Sequence, residues 1–171
     1  MHTFTELIDR CTAFTLKVLR EANERTIEEL ETSAATTLVK TLQMIQLQKA
    51  VFAVGMFSMF EADLQESLSC IDGFREAEEI LDREGEANLK ERFTNLQLAI
   101  NTLKHGSGRS YNALVKKKSS LAFRVKLPDE GFFFEGDVSE VDTLVEVDDA
   151  FVLECVAVIQ DVSEVINRAR K

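Results

Sequence analysis

The stretch "TTLVKTLQMIQLQKAVFAVGMFSMFEADLQESLSC", residues 36–70, decides the fold class of this chain. Its apolar residues recur at helical spacing and cover more than one side of a helix. It contains one glycine and no proline, so few of its residues oppose a long helix. A helix that is apolar on most sides lies at the centre of a bundle or at a subunit interface. We therefore expect a long helix here, with other helices packed around it.

Further helices are predicted on both sides of this central segment. Residues 4–22 carry one apolar stripe, and a short acidic helix is expected between turns at Gly73 and Gly85. A last helix is expected from Asp148 onwards, where the chain is dense in Val, Ile and Leu. Residues 87–105 carry a regular stripe in steps of four, three, four and three: Leu89, Phe93, Leu96, Ile100 and Leu103.

After Lys118 the apolar period changes from that of a helix to that of a strand. Every second residue from Leu121 to Leu127 is apolar, and "PDEG", residues 128–131, has the composition of a turn. "FFFE", residues 132–135, would return as the second strand, with "TLVEV", residues 143–147, as a possible third. These features predict a small β-hairpin before the last helix.

The fold class expected from these patterns is mainly α. We predict a helical bundle of five to six helices forming a single domain over residues 1–171. Helices occupy residues 1–118, the hairpin insertion residues 119–147, and the C-terminal helix residues 148–171.

Composition narrows the classes of function. The three cysteines, Cys11, Cys70 and Cys155, are scattered and lack a CxxC spacing, which argues against a disulfide scaffold and a zinc site. Only His105 lies in the interior of the chain, so we expect no metal and no cofactor. The start "MHTFTELIDR" does not resemble a signal peptide, and no apolar run is long enough to span a bilayer. We therefore expect a cytoplasmic protein without a membrane partner.

The charge is unevenly distributed. The chain carries −10 overall, yet residues 92–128 contain no acidic residue. That basic block can bind an anion locally, or it can match acidic surfaces of the same molecule or of a neighbouring subunit. Both alternatives stay open from the sequence. The block contains eight cationic residues: Arg92, Lys104, Arg109, Lys116, Lys117, Lys118, Arg124 and Lys126.

The stretch "NTLKHGSGRSY", residues 101–111, is the strongest candidate site. Asn101 and His105 are four residues apart, on one side of the predicted helix, and Arg109 follows across a two-glycine turn. Histidine transfers protons near neutral pH, asparagine can orient an imidazole, and arginine holds phosphate bidentately. The alternative is that His105 and Gly106 only end a helix, with a further short helix capped by Ser107 or Ser110.

The chain resembles the HEPN superfamily. The resemblance rests on "AVGMFSMFEADLQ" (53–65), on "LQLAINTLKHG" (96–106) and on the apolar final helix. It implies a compact, usually dimeric helical bundle, and in many members a metal-independent ribonuclease of toxin–antitoxin or defence systems. The family motif is Arg, four to six residues, then His, with Asn often following the Arg, and two motifs meet across the dimer. Asn101 and His105 match that motif, but Ile100, Ala99 and Leu98 stand where its Arg belongs.

The resemblance leads to two hypotheses of function. In the first, a homodimer binds or cleaves RNA or binds a nucleotide, with His105, Asn101 and Arg109 as catalytic residues and Arg109 replacing the missing motif arginine. In the second, the protein is a non-catalytic dimerisation or protein-interaction module with a degenerate site. The phosphate-binding residues of the first hypothesis would be Lys104, Ser107, Ser110, Lys116, Lys117, Lys118, Arg124 and Lys126.

Overall fold

The computed structural model describes residues 3–170 and shows a helical bundle, which confirms the mainly α prediction. A short 3-10 helix, Lys118–Ser120, follows the fifth α-helix. The α-helices are α1 (Phe4–Leu30), α2 (Thr36–Leu68), α3 (Gly73–Arg83), α4 (Ala87–His105), α5 (Arg109–Lys116) and α6 (Asp149–Ala169).

The long helix α2 lies at the centre of the fold and contacts α1, α3, α4 and α6. Its buried side is apolar, with Ala53, Phe57 and Phe60 fully enclosed. The preceding helix α1 runs eight residues beyond the predicted stripe, and the chain breaks only at residues 31–35. The N-cap residue of α2 is Ala35, whose side chain cannot accept a hydrogen bond from the backbone N–H groups of the first turn, so packing rather than side-chain capping holds this helix.

Four phenylalanines join α2, α3 and α4. Phe93 of α4 lies 5.4 Å from Phe74 and 6.2 Å from Phe60, measured between ring centroids, and both pairs are edge-on. Phe57 lies 6.4 Å from Phe93 and completes the cluster. Edge-on aromatic pairs add to the stabilisation that their burial provides. The apolar stripe predicted for residues 87–105 thus faces the core.

Local signals explain several helix ends. Gly106 ends α4 with φ +72°, and its N–H donates to the Thr102 carbonyl at 2.8 Å, as the sequence predicted. Asp148 caps α6 by accepting a bond from the Phe151 N–H at 2.7 Å. The N-cap of α5, however, is Gly108 rather than Ser107 or Ser110, and it offers no side chain to the helix.

The β-hairpin prediction is wrong. No strand forms in residues 3–170, and the region between the 3-10 helix and α6 is irregular. It contains one isolated antiparallel bridge, between Val125 and Val145, with bonds from Lys126 N–H to the Leu144 carbonyl and from Glu146 N–H to the Arg124 carbonyl, each 3.0 Å. The first predicted strand therefore contacts the 143–147 segment and not "FFFE".

A single side chain explains why "FFFE" does not pair. The Glu140 carboxylate accepts bonds from the backbone N–H groups of Phe133, at 2.8 Å, and of Phe134. Since successive N–H groups of a strand point to opposite edges, a returning strand would need one of these two donors for its ladder, and Glu140 takes both. Since local side-chain acceptors compete with strand pairing, residues 128–142 form a loop even though their turn is present between Leu127 and Glu130.

Candidate nucleic-acid interface

The candidate site is the corner where α4 ends and α5 begins. Asn101 and His105 lie one turn apart on α4, outside its buried stripe, and both are exposed. Neither side chain has a hydrogen-bond partner or a charged partner within residues 3–170. Gln97, one turn earlier, is different: its amide donates to the Glu78 carboxylate of α3 at 3.1 Å. Of these three polar residues of α4, Gln97 is therefore bonded to α3, whereas Asn101 and His105 face solvent.

The two-glycine turn places Arg109 next to this end of α4. Gly106 adopts a left-handed conformation, Gly108 is extended, and Arg109 is the first residue of α5. The Arg109 side chain is exposed and has no carboxylate partner among the described residues. No hydrogen bond joins Arg109 to Asn101 or to His105, so the three predicted catalytic residues are neighbours without forming a bonded array.

Half of the basic block faces solvent without an internal partner. Lys104 precedes His105, and Lys116 and Lys118 follow at the end of α5 and in the 3-10 helix. All three are exposed and, with Arg109, form no ion pair inside the part of the chain that the structure describes. We call Lys104, His105, Arg109, Lys116 and Lys118 the cationic corner. Ser107 is exposed beside it, and Ser110 is partly buried.

The other cations of the block are engaged within the molecule. Arg92 binds Glu154 at 2.8 Å and Asp161 at 3.2 Å on α6. The bond to Glu154 is the main reason that the pKa of Arg92 is raised, against an opposing effect of burial. Lys117 donates to the Asn95 side chain at 3.3 Å. Pairing with acidic residues of the same molecule, one of the two alternatives for the basic block, therefore occurs at Arg92. The residues of the cationic corner form no such pair within residues 3–170.

Arg124 and Lys126 also have partners within the molecule, although only Lys126 is buried. Lys126 is 4% exposed, and its ammonium lies 4.9 Å from the Phe133 ring centre and 3.5 Å from the Asp142 carboxylate. Arg124 lies 5.3 Å from the Phe134 ring centre and 3.7 Å from the Glu130 carboxylate. These two predicted phosphate ligands are engaged by the loop of residues 128–142, which they stabilise by cation–π contacts and ion pairs.

A second feature was not apparent from the sequence. A narrow cleft of about 90 Å³ lies between α2 and the loop before α6, and its walls include Phe133, Glu140, Glu146 and Asp148. Burial, followed by the nearby Asp148 charge, raises the pKa of the Glu146 carboxyl. Because its walls are acidic, the cleft is unsuited to phosphate. No signal in the sequence brings residues from both ends of this loop together.

The corner offers a defined set of chemical groups. The cationic corner presents a solvent-accessible imidazole, a guanidinium and three ammonium groups, and Asn101 adds an exposed amide one turn from His105. All of these groups can interact with phosphate oxygens. Within residues 3–170 no group of three or more His, Cys, Asp or Glu side chains is arranged to hold a metal ion. The side chains present can supply proton transfer by His105 and charge stabilisation by the cations.

Comparison with protein-family models, with curated proteins and with solved structures gave no match for this chain. Over the described residues, none of the helices combines the length and the apolar character needed to cross a membrane.

Proposed function

We propose that this chain is a HEPN-like helical protein that binds RNA through its phosphate backbone at the cationic corner, and that it works as a homodimer. The observation that carries the proposal is the local excess of unpaired positive charge. On a chain of net charge −10, Lys104 and Arg109 are exposed on either side of His105 along the chain, and Lys116 is exposed at the other end of α5. None of the three has a carboxylate partner among the described residues. An acidic protein that leaves such cations unneutralised can attract a polyanion locally.

The expected binding mode is electrostatic. No aromatic side chain lies among the residues of the cationic corner, so base stacking of the kind used by single-strand modules is not part of the proposal. Lys104, Arg109, Lys116 and Lys118 would contact phosphates, and their contacts carry little sequence information. Four phosphate contacts predict that log K falls with log salt with a slope of about −3 for single strands.

Cleavage of the bound RNA is the further part of the proposal. His105 would transfer the proton and Arg109 would hold the phosphate, replacing the arginine that the HEPN motif has at the position of Leu98, Ala99 or Ile100. Asn101, one turn from His105, would orient the imidazole or the phosphate. The exposure of both side chains supports access of a polymer to them.

The test compares RNA binding and RNA cleavage in the same variants. Binding of a labelled single strand is measured by fluorescence anisotropy over a range of salt, and cleavage is measured with chelator present. We expect Lys104→Gln and Arg109→Gln each to weaken binding and to reduce the salt slope by about one unit. Arg75→Gln is the matched control, because Arg75 is an exposed cation on α3 that already binds Glu79.

The outcomes are distinct. RNA affinity that is independent of salt, or equally reduced in Arg75→Gln, would contradict binding at the cationic corner. If the wild type and His105→Ala bind RNA equally well and neither cleaves it, the protein is an RNA-binding protein without nuclease activity. Cleavage abolished by His105→Ala and Arg109→Ala would establish the variant active site.

A specific observation also favours the second candidate function, a protein-interaction module. Large apolar side chains of α1 and α2 remain exposed, among them Phe14 at 69% and Met59 at 62%. Exposed apolar patches of this kind indicate a contact with another protein. If the RNA experiments fail, this surface becomes the main basis for function.

A further inference from the structure

Two rows of exposed apolar residues lie on α1 and α2. On α1, Leu7 and Phe14 are 52% and 69% exposed, and on α2, Val51 is 58% exposed. No part of residues 3–170 covers these side chains. We call the surface the outer α1–α2 face; it consists of Leu7, Cys11, Phe14 and Val18 on α1 and Met44, Leu47, Val51, Gly55 and Met59 on α2.

The two rows adjoin each other. Thr5 and Asp9 line a groove with Ser163 of α6, so that flank of α1 faces α6, and the Leu7 row lies on the opposite flank, beside α2. On α2, the backbone of Glu61 contacts Gly73 of α3, so α1 occupies the other flank. Since α1 and α2 are neighbours joined by residues 31–35, their rows form one continuous surface.

The face itself contains no charged residue. Between residues 41 and 60 the only charged residue is Lys49, which is directed to the other side of α2, where it binds Asp149 at 2.8 Å. Beside the α1 row, Arg10 pairs with Glu6 and Lys17 pairs with Glu21. Two copies of a chain with net charge −10 repel each other, and a contact without charged residues adds no like-charge pair at short range, so this face suits a second copy.

The spacing and size of the face fit a helix-to-helix contact. Both rows advance in steps of three and four residues, the spacing of a seam between packed helices. From Met44 to Met59 the face is about 22 Å long and two helices, about 20 Å, wide. A flat rectangle of this size has an area on the order of 400 Å². Its accessible area is larger, because the exposed side chains project from it, and it approaches the ~800 Å² that each partner buries in a standard interface.

We propose that the outer α1–α2 face is a homodimer interface, in which α1 and α2 of one copy pack against α1 and α2 of a second copy. A two-fold axis through the face would bring four helices together. This inference deepens the dimer part of the proposed function and is independent of RNA binding. The proposed interface would be stabilised by burial of apolar side chains, so dimerisation should be insensitive to moderate salt.

The interface has a consequence for the candidate site. Phe93 of α4 packs against Phe57 on the buried side of α2, and His105 lies three turns further along α4, about 120° around the helix from Phe93. The outer α1–α2 face lies on the opposite side of α2 from Phe57. The proposed dimer therefore keeps the two cationic corners apart, and a composite site that joins two His105 residues does not form across this interface.

The test is the oligomeric state of the full chain, measured by sedimentation and light scattering over a range of concentration and without RNA. We expect a dimer for the wild type. Phe14→Glu and Val51→Glu should each weaken it by roughly 100-fold or more, because each introduces an unpaired carboxylate at the centre of the contact. Leu153→Glu is the matched control, since Leu153 is 53% exposed on α6, away from the face, and should leave the dimer unchanged.

A second measurement follows a native thiol on the face. In a Cys70→Ser background, Cys155 is buried and Cys11 is the exposed thiol, so alkylation reports on Cys11. We expect slow alkylation in the dimer and fast alkylation when Phe14→Glu is added. Circular dichroism confirms that each variant keeps its helices.

Three results would overturn the proposal. They are a wild type that stays monomeric at high micromolar concentration, a dimer that tolerates both glutamate substitutions, and a dimer lost equally in Leu153→Glu. Loss of RNA binding in an intact dimer would instead contradict only the RNA part of the proposed function, which keeps the two failures distinguishable.

Discussion

Lys49 Nζ lies 2.8 Å from Asp149 Oδ1, and this contact joins the middle of α2 to the first turn of α6. Arg20 of α1 reaches the other oxygen of the same carboxylate at 3.1 Å. Side chains of α1 and α2 thus meet the distant helix α6 at one carboxylate. Because Asp149 lies in the first turn of α6, its negative charge also interacts favourably with the positive end of the helix dipole.

Removing this ion pair should destabilise the bundle. The Lys49 side chain is 14% exposed, so the pair is only partly screened by solvent, and we expect Lys49→Ala to lower the free energy of unfolding by about 1 kcal/mol at pH 7. Urea denaturation followed by circular dichroism measures the change. Lys40→Ala, which removes an exposed lysine of α2 without an ion-pair partner in the described chain, should change the stability by less than about 0.5 kcal/mol.

The same pair predicts a pH dependence. Burial tends to raise the pKa of Asp149, but the bonds from Lys49 and Arg20 outweigh it, and the pKa lies below its usual value. A carboxyl with a lowered folded pKa stabilises the protein above its unfolded pKa of about 3.9 and loses that contribution as the pH falls through the folded pKa. The stability difference between the wild type and Lys49→Ala should therefore shrink below about pH 4. A difference that grows in acid would contradict this assignment.

Tyr111 provides a direct optical test of burial. Its hydroxyl donates to the Lys126 carbonyl at 2.8 Å, and burial, followed by the charges of Glu130 and Asp129, raises its pKa. The chain contains one tyrosine and no tryptophan, so tyrosinate absorbance reports on this residue alone. We expect a titration midpoint above about 10 in the folded protein and near 10 in urea.

The sign of the linked stability effect follows from that shift. A raised folded pKa means that stability is complete below the unfolded pKa and is lost as the pH rises through the folded value. Tyr111→Phe should abolish the optical transition and reduce this part of the alkaline loss. A folded midpoint equal to that in urea would show that Tyr111 is solvated.

Gly73 is required by close packing between α2 and α3. A Cβ at this position would lie 2.8 Å from the Glu61 carbonyl oxygen and 2.8 Å from Leu64 Cβ, and neither atom belongs to a flexible side-chain end. We expect Gly73→Ala to destabilise the protein by about 1–3 kcal/mol, measured by thermal and urea unfolding. Gly131→Ala is the control, because open space surrounds that position, and similar losses in both variants would exclude the steric explanation.

Phe93 is the central ring of the aromatic cluster. It is fully buried and contacts Phe57 and Phe60 of α2 and Phe74 of α3. Phe93→Ala should lower the free energy of unfolding by about 3–5 kcal/mol, because it removes apolar contacts and leaves a cavity. Phe132→Ala, at a ring that is 52% exposed, should cost less than about 1 kcal/mol. Equal effects of both changes would show that the cluster is not the core.

Residue spacing predicted the helices well because a helical side has a fixed period. The stripe from Leu89 to Leu103 faces the core as expected, and Gly106 ends that helix with the positive φ that glycine tolerates. The alternation from Leu121 to Leu127 predicted a strand with the same logic and was wrong. An alternating pattern indicates only which side chains can be buried. Whether a partner strand pairs with it depends on the backbone hydrogen-bond donors and acceptors of another segment. Here the Glu140 carboxylate takes the donors of Phe133 and Phe134.

The sequence by itself determined the helical class, the central position of residues 36–68, and the adjacency of Asn101, His105 and Arg109, since all of these follow from local periodicity and short turns. Only the tertiary structure decided which cations of the basic block stay available. Arg92, Arg124 and Lys126 are neutralised by carboxylates or rings that folding brings to them, and Lys104 and Arg109 are not. Charge pairing acts over a few ångströms in space, and the one-dimensional order of residues does not record that distance.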